Sequence, residues 1–234
     1  MKIAAIVTDI EGTAGGTGFI HDVLMPYSLK HLGAFVREHQ EERDVLRALV
    51  KVSEKTGVPL HNLDGIIRQL QQWIRDEDAV TELKTLQGML WEKAYKQGLF
   101  QSHVYPDVPA VLQHWQQEER NLYVYSHESI KAQQLFFRYS TEGDMRLLFS
   151  GYYDSTIGPK DDLQSYVRIA EAIALKPKAI LYLSDDRGEL DAAAAAGFNT
   201  TWLIRPQDTS LDPERVRLKS PHPVVTSFDQ IAVS

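Results

Sequence analysis

Hydrophobic positions along the chain follow two rhythms. Residues 3–7, 122–125 and 180–183 are short, nearly unbroken apolar runs rich in Ile, Val, Leu and Tyr. That is the pattern of strands covered on both faces in a parallel sheet, not the alternation of a half-exposed strand. Residues 200–204 resume the strand pattern and stop before Pro206, and 151–154 supply another short run, so a sheet of about five strands is expected. Helical spacing predicts helices over 108–117, 130–137, 162–174 and 189–196, with Gly197 placed as a C-terminal stop.

Between the first and second strands the strand signal disappears. Helical periodicity takes over, at 22–38, 41–55 and 78–97, and Trp73, Leu83, Leu86, Leu90 and Trp91 are spaced as an apolar stripe suited to the core of an insert. The expected fold class is α/β: a three-layer, Rossmann-like parallel sheet core formed by residues 1–15 and 101–234, with an all-helical cap domain inserted at 16–100. The turn-rich stretch 206–223 is expected to pack over a sheet edge.

Composition narrows the function classes. With 234 residues, 43% hydrophobic and 24% charged, the chain has ordinary globular usage. The absence of cysteine excludes disulfides and thiolate metal ligands and fits a reducing compartment. The apolar N-terminal run is too short for a membrane span and carries no small-residue cleavage site, so a cytoplasmic location is expected. A net charge of −7 argues against nucleic acid or anionic membrane as partner. An anionic substrate must then find positive charge locally, and a metal would supply it.

Polar residues close each predicted strand: Asp9-Ile10-Glu11-Gly12-Thr13, Ser126, and Ser184-Asp185-Asp186. Ligands of parallel sheets bind just outside the carboxyl ends of the strands, where these groups would converge. Any one of them serves equally well as a helix N-cap; three together, two of them acidic, favour an anion and metal site. Asp9 and Glu11 project to the same side of an extended segment. A carboxylate can attack phosphorus because the acyl phosphate it forms is easily hydrolysed, and a second carboxyl group can protonate the leaving oxygen and deprotonate water. Like charges and a phosphate need a divalent cation to hold them together, with Asp185 as a further ligand. All-oxygen ligands favour Mg²⁺ over zinc. Lys160 stands at an expected helix start, where a cation opposes the dipole unless it serves an anion; the alternative is an exposed lysine. The scattered His21, His31, His61, His103, His114 and His222 are read as structural or surface residues.

These residues carry a resemblance. Asp9-x-Glu11-Gly12-Thr13, Ser126, Lys160 and Ser184-Asp185 resemble the four motifs of the haloacid dehalogenase-like hydrolases. Nearly the whole chain is similar to the enolase-phosphatases of methionine salvage, also called acireductone synthases. The likeness lies in Val7-Thr8-Asp9-Ile10-Glu11-Gly12-Thr13, Trp73-Ile74, Leu83-Lys84-x-Leu86-Gln87-Gly88, Trp91, His103-x-Tyr105-x-Asp107-Val108 and Ser140-Thr141-Glu142-Gly143-Asp144. Glu11, where most phosphatases of the superfamily have aspartate, is the most discriminating residue. The resemblance implies that Asp9 is nucleophile and Mg²⁺ ligand, Glu11 acid/base and second ligand, and Asp185 the third ligand. Ser126 and His127 would bind the phosphoryl group or substrate, and Lys160 would neutralise charge on it. The implied substrate is 2,3-diketo-5-methylthiopentyl-1-phosphate and the implied state a monomer.

Two departures stand out. His127-Glu128-Ser129 replaces the usual Ser-Gly-Ser, and Ala14-Gly15-Gly16 follows Thr13 where another Thr is usual, which is read as a loosened hinge. A phosphatase of the same superfamily acting on another small phosphoester, or a silent binding protein of the same fold, therefore stands beside the enolase-phosphatase reading. A dehalogenase is disfavoured, since it needs neither the second carboxyl group nor a metal. The base for enolisation is not named by sequence; Lys84, Gln87 and Glu92 of the insert are candidates.

Overall fold

The computed structural model describes residues 2–78 and 80–233; Ala79, inside the predicted helix 78–97, lies outside the described residues. Two compact units emerge, Met1–Thr17 with Gln101–Ser234, and Gly18–Phe100. In chain order β1 (Ala5–Thr8) is followed by the helical unit: a π-helical turn (Phe19–Leu24), α1 (Met25–His39), α2 (Arg43–Thr56), α3 (Leu63–Arg75) and α4 (Thr81–Lys96). The first unit then resumes with α5 (Val108–Gln117), β2 (Asn121–Tyr125), α6 (Ile130–Arg138), β3 (Gly151–Tyr153) and α7 (Leu163–Ala172). It ends with β4 (Ile180–Ser184), α8 (Arg187–Ala195), β5 (Asn199–Leu203), α9 (Pro213–Arg217) and β6 (Val224–Val225).

The strands form one parallel sheet in the order β3-β2-β1-β4-β5-β6. β1 is central. Its Ala5, Ile6 and Val7 are buried, as are Tyr182 and Leu183 of β4 and Val124 and Tyr125 of β2, because helices cover both faces and leave no room for polar alternation. Under one face Tyr125, Tyr166, Tyr182, Ile169, Leu190 and Phe198 pack as one cluster, with Tyr166 set edge-on to Tyr125 and Tyr182. The register places Thr8 opposite both Val124 and Leu183, so β1, β2 and β4 end level with one another. After β3 the strand order jumps back to the other side of β1, which makes the carboxyl end of β1 a topological switch point.

The sheet has one strand more than expected. β6, two residues long, pairs with β5 at the edge, and the turn-rich stretch 206–223 also carries α9, capped by Asp212 with Pro213 in the first turn. In the helical unit the stripe residues Trp73, Leu83, Leu86, Leu90 and Trp91 are all buried. Trp91 donates its indole N–H to the buried Ser28 hydroxyl at 2.8 Å, which satisfies the polar edge of a large core ring. α3 was not among the helices named within the expected all-helical insert, although Leu63, Ile66, Ile67, Leu70, Trp73 and Ile74 keep helical spacing behind an Asn62 cap. Among the described residues no helix is long and apolar enough to cross a membrane.

Candidate active site

β1 delivers Asp9 to the rim of the sheet, where its N–H still bonds the Leu183 carbonyl of β4 at 2.9 Å. The chain then turns back, with the N–H groups of Thr13 and Gly15 both donating to the Ile10 carbonyl at 3.2 and 2.7 Å. Gly12, at φ +66°, is the pivot: a Cβ there would stand 2.0 Å from Asp185 Oδ2. Glycine thus lets the Asp185 carboxylate lie directly against the Asp9 loop. Gly15, of the glycine pair read as a loosened hinge, sits in a crowded place. A Cβ at Gly15 would lie 2.5 Å from the Phe136 ring and 2.7 Å from the His103 carbonyl, so the small residue permits tight packing.

The helix-cap alternative is resolved residue by residue. Ser129 caps α6 by accepting the Ala132 N–H, and Asp186 caps α8 by accepting the Glu189 N–H. Ser126 and Asp185 are therefore not caps. Ser126 is buried, its hydroxyl oxygen accepting the Glu128 N–H at 3.1 Å.

Lys160 is neither exposed nor the start of a helix; α7 begins at Leu163 behind the Asp162 cap. At 2% exposure, its Nζ lies 2.7 Å from Asp9 Oδ1 and 2.9 Å from Glu189 Oε1. The Tyr125 ring stands 5.8 Å away. Its backbone is fixed as well, since Tyr166 donates its hydroxyl to the Lys160 carbonyl and Tyr125 donates to that of Gly158. Glu189 is the member of this group that the sequence reading missed. It accepts hydroxyl protons from Tyr182 and Ser184, each at 2.7 Å, and the largely exposed His127 ring brings Nε2 to 3.7 Å from its Oε1.

The electrostatics follow from four carboxylates around one buried ammonium. Burial lifts Asp9 above the ordinary carboxylate range, with Lys160 opposing and Glu189 adding to the shift. Burial and the charges of Asp9 and Glu128 push Glu11 up to about 8, and burial with Asp9 and Glu189 pushes Asp185 up to about 7. Glu189 goes the other way: burial opposes its charge, but the nearby His127 ring, the charge and hydrogen bond of Lys160 and the Tyr182 hydroxyl hold it down at about 2. Glu11 Oε1 is buried without a hydrogen-bond partner. An orphaned carboxylate oxygen beside two more carboxylates that resist ionisation is a donor set that fits a hard divalent cation. Among the described residues, no three His, Asp or Glu side chains already stand as a ligand cage.

In the helical unit, of the candidates for the enolisation base, Gln87 is buried with its amide donating to the Met25 sulfur, and Glu92 pairs with Lys96 at 3.0 Å.

The haloacid dehalogenase-like hydrolase model matches residues 3–197. Enolase-phosphatase E1 of Azotobacter vinelandii is 46% identical over 231 residues, 99% of this chain and 98% of its own. Enolase-phosphatase E1 of Pseudomonas aeruginosa is 46% identical over 233 residues, spanning 100% of both chains. Among solved structures, the UTR4 protein of Saccharomyces cerevisiae superimposes with a TM-score of 0.82 at 27% identity, covering 98% of this chain and 100% of its own.

Proposed function

The chain belongs to the haloacid dehalogenase-like hydrolases and, within them, to the enolase-phosphatase E1 family, and from that membership we propose that it converts 2,3-diketo-5-methylthiopentyl-1-phosphate to the acireductone and phosphate in methionine salvage. The observation that carries the reading is the buried Lys160 ammonium 2.7 Å from Asp9 at the carboxyl rim of the sheet, with Glu11 and Asp185 beside it.

In this proposal Lys160 fixes one oxygen of Asp9, and the other attacks phosphorus in line, breaking the bond to the leaving oxygen and forming an aspartyl phosphate. Glu11 gives a proton to the leaving oxygen, then takes one from the water that hydrolyses the acyl phosphate. Ser126 and His127 hold the phosphoryl oxygens. Lys160, aligned beforehand by Glu189, offsets the charge that builds up on them. Asp9, Glu11 and Asp185 would hold Mg²⁺, which when bound supplies further charge neutralisation at the phosphate. Gly18–Phe100 is assigned as the cap domain. The lack of cysteine supports work in the cytoplasm, and we take the working form to be a monomer.

The test supplies the diketo phosphate with Mg²⁺ and follows enediol absorbance alongside phosphate release. Both should appear, in equal amounts, and Asp9→Asn should slow phosphate release by about 10⁴-fold or more. Release of neither product by the wild type ends the substrate assignment, and equal slow release by wild type and variant ends the catalytic one. A second reading rests on the exposed His127 imidazole facing Glu189: a phosphatase for another small phosphoester. A substrate panel in which a different ester reacts far faster would favour it.

A further inference from the structure

The His103-x-Tyr105-x-Asp107 segment takes no part in the chemistry above, yet it closes around Arg205, a guanidinium only 3% exposed. Arg205 Nε and Nη2 both donate to the Thr13 carbonyl, at 3.2 and 2.8 Å. Its Nη1 donates to both oxygens of Asp107, at 3.0 and 2.8 Å, and to the Thr226 carbonyl at 3.3 Å. The Tyr105 ring lies 4.1 Å from the guanidinium carbon and the Phe228 ring 5.4 Å. Asp107 is itself held by the Phe228 N–H at 2.7 Å and the Ser227 hydroxyl at 3.2 Å. Beyond Arg205 the chain turns so that Asp208 accepts from the Tyr105 hydroxyl and from the Thr17 N–H.

Thr13 lies on the turn that carries Asp9 and Glu11. Its hydroxyl is buried without a partner, and its carbonyl is held by the two bonds from Arg205. Packed apolar side chains replacing both members of a buried ion pair are often no less stable than the pair itself. The directional fork of a guanidinium supplies what such a side chain and a lysine both lack. We propose that Arg205 is a positioning residue for the reaction: clamped by Asp107, Tyr105 and Phe228, it holds the Thr13 carbonyl and so sets the turn on which Asp9 and Glu11 face Asp185.

This inference rests on the proposed function, and the experiment separates the two. Arg205→Met and Arg205→Lys are compared in the full chain with Ile169→Ala, which empties part of the core under the sheet and serves as a destabilised control. Melting temperature, Mg²⁺ affinity by calorimetry, and kcat and KM on the diketo phosphate are measured below every melting temperature. Arg205→Met should lose about 10²-fold in kcat with KM nearly unchanged and bind Mg²⁺ roughly tenfold more weakly. Arg205→Lys should lie between it and wild type, and Ile169→Ala should keep wild-type kcat and Mg²⁺ affinity at its lowered melting temperature. Should Arg205→Met fail to fold, Arg205→Lys carries the comparison. Arg205 variants with wild-type kcat and Mg²⁺ affinity, or an Ile169→Ala control that loses as much of both, overturn the inference. A wild type that binds Mg²⁺ but leaves the diketone intact would sink the substrate reading alone, and Mg²⁺ affinity then decides this one.

Discussion

Lys160 is a cation that burial alone would discharge. Desolvation works against its charge, but Asp9 and Glu189 on either side of Nζ outweigh it and raise its pKa above the ordinary lysine value. Removing one member of such a group leaves the rest uncompensated in a poorly solvated place. Lys160→Met is expected to abolish phosphate release and to cost about 3 kcal/mol in urea unfolding. The double variant Lys160→Met/Glu189→Leu should regain part of that stability and none of the activity. If the double variant is less stable than Lys160→Met, the ion pairing described here is not what holds this part of the molecule. Glu189 escaped the sequence reading because its signal is helical. It stands three residues beyond Asp186 on α8 and not directly after a strand, and only the fold turns that helical position towards Lys160.

At the scale of elements, the junction between β4 and α8 divides two adjacent aspartates between two tasks. Asp186 caps the helix, and Asp185 lies against Gly12. Asp186→Ala should lower stability by about 1 kcal/mol and leave phosphate release within a few-fold of wild type. Asp185→Asn should remove the rise in melting temperature that Mg²⁺ gives the wild type. Calorimetric scans with and without Mg²⁺ check both, and an undiminished Mg²⁺ response in Asp185→Asn would remove that residue from the ligand set. The strands β1, β2 and β4 were legible because double-sided burial writes a nearly unbroken apolar run, and β5 because its apolar end stops before Pro206. Asp9, Ser126 and Asp185 were legible because strand ends in a parallel sheet share one rim. β6 was not: two residues carry no periodicity, and Val224–Val225 becomes a strand only because β5 offers an open edge. The predicted helix 22–38 took in only the end of the π-helical turn Phe19–Leu24, whose winding residue spacing does not distinguish from a regular helix.

Across the molecule, Arg205 and Asp107 join parts of the chain that no local pattern connects. The guanidinium reaches Thr13, 192 residues away in sequence, and Asp107, 98 residues away, so neither partner was visible before the fold brought them together. The start of α5, the end of β5 and the segment beyond β6 thus meet at one carboxylate. Burial disfavours the charge on Asp107, but the Phe228 N–H and the Arg205 guanidinium outweigh it and hold the pKa below the usual carboxylate range. A depressed folded-state pKa means that the unfolded chain binds the proton more readily. The stabilisation is then fully present above the unfolded value of about 3.9 and is lost as pH falls through the lower, folded value. Asp107→Asn never carries the charge. The difference in urea-unfolding free energy between wild type and this variant should therefore stay constant from about pH 7 to pH 5 and shrink below about pH 4. A difference that holds its size down to the lowest pH at which both proteins fold would mean that the charge on Asp107 contributes nothing, and that the junction is held by its neutral hydrogen bonds and the rings around Arg205.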